Sequence, residues 1–189
     1  MDIILVRHGE TEDNVSKRFS TKDTPLTCKG KEQIRKTKTL IKGLSFEKIY
    51  VSPYKRAIET MKILGLEGHI EDRIHEVDFG LFEGKNYETI DREFPDEIKG
   101  WTKDYINYSV PQGESIRLAY KRVTSFLEEI VNRNENTLLV CHEGVIRIAL
   151  SWVFDNIDYF FKFRLENGSI SIITINEDGF KYIDKVNMV

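Results

Sequence analysis

Two periods alternate along the chain. Residues 2–6 (Asp-Ile-Ile-Leu-Val) and 137–141 are short, nearly continuous apolar runs, the pattern of strands buried on both faces, and 46–51 reads as a further strand. Between them apolar residues recur at helical spacing. A helix is expected over 28–42, with Thr27 as N-cap, Ile34, Leu40 and Ile41 on its apolar face and Gly43 just past its end. Ser52-Pro53 predicts the next one, with Ser52 as N-cap and Pro53 at the first helical position. Ala57, Met61 and Leu64 share its apolar face, and Gly65 closes it. Ser115 caps a long helix carrying Ala119, Val123, Phe126, Leu127, Ile130 and Val131, and residues 145–153 form another. Runs 169–175 and 180–185 flank Glu177-Asp178-Gly179, a hairpin signal with Asp-Gly in the turn.

This alternation predicts an α/β fold of three layers, α/β/α, with a mostly parallel sheet and an antiparallel edge strand. Residues 70–113 are less regular. They hold Gly80, Gly84, Pro95 and Pro111 and two weak helical stretches, 87–94 and 96–105. They read as an insertion over the strand ends within a single domain spanning 1–189, where substrate contacts often lie. No internal repeat is visible.

Composition narrows the class. Of 189 residues, 40% are hydrophobic and 31% charged, which suits one globular domain. A net charge of −3 with scattered basic residues argues against nucleic-acid binding. No run approaches ~18 apolar residues, so no membrane span is expected. No secretory leader pattern opens the chain. Cys28 and Cys141 lack the spacing of a disulfide framework, so a cytoplasmic protein with reduced thiols is expected.

The candidate chemistry sits at strand ends, where open α/β sheets bind ligands. One strand ends in Arg7-His8-Gly9-Glu10 and another in Cys141-His142-Glu143-Gly144. If the two are parallel, both imidazoles face one crevice. A third strand ends at Ser52-Pro53 and opens a helix carrying Arg56. Helix N-termini favour anions. Arg7, Arg56 and His142 around His8 would form a phosphate-sized cationic pocket. No residues show a clear metal-ligand spacing. Cys141 to Arg147 also fits the C-x5-R spacing of cysteine-dependent phosphatases. That reading leaves Arg7-His8-Gly9 and Arg56 unexplained, and the plain reading of Cys141 is a buried thiol. His75, His69, Lys85 and Arg117 read as solvated or structural. Tyr54, Phe82, Tyr87, Trp101 and Tyr105 read as local packing that could also line a substrate mouth.

Six ordered segments carry a resemblance. They are Arg7-His8-Gly9-Glu10-Thr11-Glu12-x-Asn14, Pro25-Leu26-Thr27-x-x-Gly30-x-x-Gln33 and Ser52-Pro53-x-x-Arg56-Ala57-x-Glu59-Thr60. Then come Glu76-x-x-Phe79-Gly80-x-x-Glu83-Gly84, Pro111-x-Gly113-Glu114-Ser115 and Cys141-His142-x-Gly144-Val145-Ile146-Arg147. Together they resemble the histidine phosphatase superfamily, also called phosphoglycerate mutase-like, over nearly the whole chain. The resemblance implies that fold and no cofactor or metal. It implies His8 as the nucleophile that becomes phosphohistidine, with Arg7, Arg56 and His142 holding the phosphoryl oxygens. Glu76 is the implied proton donor to the leaving group. Asn14, Thr21 and Gly144 are implied at the phosphate or pocket edge. The expected partner is a small phosphorylated metabolite, taken by a monomer or homodimer.

One position departs from the family pattern. A glycine commonly follows the second histidine, and here Glu143 stands there. A carboxylate beside a phosphate pocket is repulsive unless it points away or meets a cation. Three functions fit the motifs: a phosphatase, a phosphoglycerate mutase, and a non-catalytic module that binds phosphorylated ligands. The short segment between Glu76 and Pro111 favours the phosphatase, because the mutases resemble longer chains that enclose the intermediate. The complete set of five polar residues argues against a binding-only module. Short members of similar organisation include α-ribazole, phosphoglycerate and sugar-phosphate phosphatases.

Overall fold

The computed structural model describes residues 1–189. Its centre is a six-stranded sheet formed by β1 (Asp2–Arg7), β2 (Lys48–Val51), β3 (His69–Ile70), β4 (Thr137–Cys141), β5 (Ile170–Ile175) and β6 (Lys181–Met188). The spatial order is β3-β2-β4-β1-β5-β6. The first four are mutually parallel, and β5 and β6 add antiparallel partners at one side. The mixed sheet predicted from the sequence is therefore present. The β5–β6 pairing carries register shifts, and β6 runs further than the alternation predicted.

Alternation along the central strands sorts the core into two layers. Ile3, Leu5, Leu139 and Cys141 face helices α6 (Ile116–Arg133) and α7 (Glu143–Trp152). Ile4, Val6, Leu138 and Val140 face α2 (Cys28–Ile41) and α3 (Lys55–Leu64). Every one of these strand residues is at most 1% exposed, which is why the strands read as unbroken apolar runs. Ile34 on α2 is fully buried in the second layer, so Ile34→Ala should cost about 2–5 kcal/mol. A short helix α1 (Glu12–Val15) follows β1, closed by a capping box between Thr11 and Asn14. Between β3 and α6 lie α4 (Tyr87–Glu93) and α5 (Pro95–Lys103), with Phe82, Ile90, Ile98 and Val110 as a separate small core.

Three details differ from the sequence reading. Leu40 is 38% exposed, and Thr37 takes its place on the buried face of α2 by donating its hydroxyl to the Gly168 carbonyl at 2.6 Å. Helix α3 starts at Lys55 with Tyr54 as an N-cap that makes no side-chain bond, so Ser52 is not its cap. Its first amide, on Lys55, donates to the Lys22 carbonyl instead. Helix α7 begins two residues earlier than its apolar pattern indicated, directly after His142.

Candidate active site

Register brings the two histidines together. Strands β1 and β4 pair in parallel with Arg7 opposite Cys141. One step further lie His8 and His142, and the His8 amide donates to the Cys141 carbonyl at 3.1 Å. Their ring centroids are 5.2 Å apart. Tight backbone turns hold this end of β1. A Cβ on Gly9 would stand 2.4 Å from the Gly30 carbonyl oxygen, and one on Gly30 would stand 2.1 Å from that of Glu10. The two glycines of the separate segments are thus one backbone-on-backbone contact.

His8 is held in one tautomer. Its Nδ1 lies 2.7 Å from the Gly9 carbonyl. A carbonyl only accepts, so the proton is on Nδ1 and the lone pair is on Nε2. Burial, then the charges of Arg56 and Arg7, push its pKa well below the ordinary value, against the raising effect of the Gly9 carbonyl. His8 is therefore a neutral imidazole. Arg56 Nε donates to that Nε2 at 3.2 Å, and its Nη1 donates to the Thr21 carbonyl at 2.7 Å.

His142 is fully buried, and Ser52 Oγ lies 2.6 Å from its Nε2. The serine foreseen as a helix cap is spent on orienting this ring. Two polar atoms at the site have no partner, Arg7 Nε and His142 Nδ1. Buried polar atoms without partners are costly. Both belong to residues beside His8, and an oxyanion placed there would bond them.

Glu76 comes from the loop before the small core. It is half-buried, and desolvation pushes its pKa up, partly opposed by Arg56 and by amide bonds. Its Oε1 accepts from the Val77 amide at 2.9 Å and the Gly144 amide at 3.1 Å. The second of these lies in the first turn of α7. A Cβ on Gly144 would meet Glu76 Oε1 at 2.3 Å, so only glycine leaves room for the carboxyl. Arg122 on α6 holds the segment from behind. It donates to the Arg73 and His75 carbonyls at 2.8 and 3.0 Å and to the Glu76 carbonyl at 3.2 Å, and pairs with Glu114.

The sequence-derived set divides as follows. Arg7, His8, Asn14, Arg56 and Glu76 line one pocket of about 140 Å³, and the His142 ring, outside that lining, stands edge-on to His8. Gly144 lines a neighbouring pocket. Thr21 lies outside both linings and contributes its carbonyl to Arg56. Asn14 Oδ1 accepts from the Thr11 amide and from Asn167 Nδ2, which leaves its own amide group free as a donor. His75 stacks on Tyr54 at 5.8 Å. Cys141 is fully buried in the α6–α7 layer, where burial pushes its thiol pKa up. It cannot act as a thiolate there. Glu143 meets cations on both oxygens, Arg7 Nη2 at 2.7 Å and Arg147 Nη2 at 2.6 Å. Arg18, Phe19 and Ser20 also line the pocket and were not singled out in the sequence. Their segment is drawn in by backbone bonds between Phe19 and residues 84–85, a long-range pairing with no local signal. Arg122 was missed for another reason, since an arginine on an amphipathic helix reads as solvated. No group of three or more His, Cys, Asp or Glu residues is arranged to hold a metal ion. No helix is long and apolar enough to cross a membrane.

Comparison with known proteins shows the family. The chain is 33% identical over 155 residues to 6-phosphofructo-2-kinase/fructose-2,6-bisphosphatase 1 of Rattus norvegicus, covering 81% of this chain and 32% of that one. It thus spans about a third of the length of that curated relative. It is 31% identical over 196 residues to the adenosylcobalamin/alpha-ribazole phosphatase of Salmonella typhimurium, covering 99% of this chain and 96% of the relative. The crystal structure of the alpha-ribazole phosphatase from Shigella flexneri superposes with a TM-score of 0.92 at 28% identity, covering 100% of this chain and 96% of that one. The model of the histidine phosphatase superfamily, branch 1, matches residues 3–188, and the chain belongs to that family.

Proposed function

We propose that the protein is a metal-independent phosphomonoesterase acting on a small phosphorylated metabolite through a phosphohistidine on His8. The observation that carries this reading is the state of His8. It is neutral, its unprotonated Nε2 is held only by the Arg56 Nε donor, which a phosphoryl oxygen would take over, and two guanidinium groups stand beside it. Phosphoryl transfer needs positioning and neutralisation of the equatorial oxygens more than it needs covalent assistance.

His8 Nε2 attacks phosphorus in line with the ester oxygen. The P–O bond breaks, its electron pair stays on the leaving oxygen, and that oxygen takes the Glu76 proton. Arg7, Arg56 and His142 carry the charge of the three remaining oxygens, with Asn14 as a further donor. Water then attacks the phosphohistidine and gives its proton to the Glu76 carboxylate. The P–N bond breaks and its electron pair returns to Nε2. The full-length match to an alpha-ribazole phosphatase makes α-ribazole 5′-phosphate the first metabolite to assay.

The test is hydrolysis of a phosphomonoester panel in excess chelator, with acid quenching to trap labelled phosphoenzyme. The wild type should turn over undiminished by chelator and trap up to one phosphoryl group per chain. His8→Ala should lose both signals. Full turnover by His8→Ala, or abolition by chelator with recovery on adding metal, overturns the mechanism.

A further inference from the structure

Beside the phosphate pocket lies a second one of about 210 Å³, walled by aromatic side chains that include Phe79, Trp101, Phe160 and Phe161. The two pockets share Phe19, Glu76, Phe79 and Glu143. Glu76 is the proposed proton donor to the leaving oxygen, so the aromatic pocket begins where the leaving alcohol must be. Two charged side chains other than Glu76 line it, Glu143 and Arg147. Arg147 is the cation that a carboxylate on the alcohol would seek. Its charge is already paired. Its Nη2 pairs with Glu143 at 2.6 Å, its Nε donates to the Phe163 carbonyl at 3.2 Å, and its guanidinium lies 5.7 and 5.8 Å from the Phe160 and Phe161 ring centres. The other Glu143 oxygen holds Arg7 at 2.7 Å.

We propose that Glu143 is a specificity-determining residue: by occupying Arg147, it makes the leaving-group pocket accept phosphomonoesters of uncharged, ring-bearing alcohols and reject those whose alcohol carries a carboxylate. The ring gains burial against the aromatic wall. A carboxylate in the same place must compete with Glu143 for Arg147. This inference rests on the phosphomonoesterase reading and names the substrate class of that site. Glu143 also touches Arg7, which serves the phosphoryl group common to all substrates. Any effect through Arg7 therefore cancels in a ratio between two substrates.

The experiment compares kcat/KM for 2-phenylethyl phosphate and for 3-phosphoglycerate, in wild type, Glu143→Gln and Phe161→Ala, each checked for folding by circular dichroism. Wild type should favour the ring-bearing ester by roughly a hundredfold or more. Glu143→Gln should cut that ratio about tenfold, chiefly by a gain on 3-phosphoglycerate. Phe161, on the pocket rim and 49% exposed, should on truncation cut the ratio by a loss on the ring-bearing ester. A wild-type ratio near one, or a ratio unmoved by Glu143→Gln in folded protein, overturns the specificity role and leaves the phosphatase standing. Absence of turnover and of phosphoenzyme with every ester in the panel refutes the phosphatase reading itself.

Discussion

His8 is buried and Glu76 half-buried, and desolvation moves their pKa values in opposite directions. The imidazole loses its proton more readily and the carboxyl keeps its proton longer. Both shifts favour the pairing of a neutral nucleophile with a protonated acid, which the proposed first step requires. The pH dependence follows. His8 is already neutral below the ordinary histidine range, so the acid side of kcat/KM is not limited by it near neutrality. As pH rises through the raised Glu76 value, the donor is lost and turnover of alkyl esters should fall. Glu76→Gln should remove that alkaline limb and slow alkyl esters by about 10²-fold or more, with a much smaller loss on p-nitrophenyl phosphate. Equal losses on the two esters would take Glu76 out of the acid role. Stability gives a second reading of the same group. Above the ordinary value of 4.5 the unfolded state is ionised while the folded state still holds the proton. Stability therefore drops as pH rises from 4.5 through the native value and stays lower above it. Thermal melts of Glu76→Gln should show a relative gain over wild type that grows from acid to alkaline pH.

Elements bring these residues into reach. The ends of β1, β2 and β4 meet because the strands pair in parallel at fixed register, and Ser52, at the end of β2, reaches His142 at the end of β4. Ser52→Ala leaves a buried imidazole nitrogen without its partner, at a cost of about 1–3 kcal/mol. Stability measured by urea unfolding should fall by that amount. The trapped phosphoenzyme should also form more slowly, because His142 is no longer held. The start of α7 plays a different part, since its Gly144 amide holds the Glu76 carboxyl. Gly144→Ala should displace that carboxyl and act like loss of the acid, with alkyl esters suffering more than p-nitrophenyl phosphate. A uniform loss on both would mean that the phosphate cradle moved instead. Long apolar runs made the strands and α6 legible from sequence. The start of α7 was not, because Glu143 and Gly144 carry no apolar period. Short elements such as α1 and β3 were not foreseen either, since α1 depends on a capping box and β3 on two residues pairing with β2.

Across the molecule, folding buries two neutral imidazoles, His8 and His142, and burial lowers both pKa values. Below the ordinary histidine value of about 6.5 the unfolded chain binds protons that the folded chain does not. Stability is complete above that value and is lost as pH falls below it. Glu76 and Glu83 have raised values and act in the opposite sense, so the histidine share is best read by difference. Between pH 7.5 and 5.5, His8→Asn should lose less stability than wild type, by up to about 1.4 kcal/mol for each pH unit below 6.5. Parallel pH curves for the two proteins would show that His8 is not held neutral by the fold. The small core of Phe82, Ile90, Ile98 and Val110 supports the aromatic wall from outside the main sheet. The two ends of the 70–113 segment meet at Gly80, whose φ of 49° and lack of a Cβ let the Pro111 carbonyl approach.

The apolar periods and strand-end motifs were enough to establish the layered α/β fold, the mixed sheet and the residues around His8. Those features are local in sequence, or repeat a pattern that burial on both faces imposes. Which groups those residues touch was settled in three dimensions. Ser52 serves His142 instead of a helix, Thr21 serves Arg56 through its carbonyl, and Glu143 lies between two arginines. Each of these contacts joins residues that the chain keeps apart or points in ways its order does not specify. Hydrogen bonds and ion pairs depend on distance and direction, which exist only once the layers have packed.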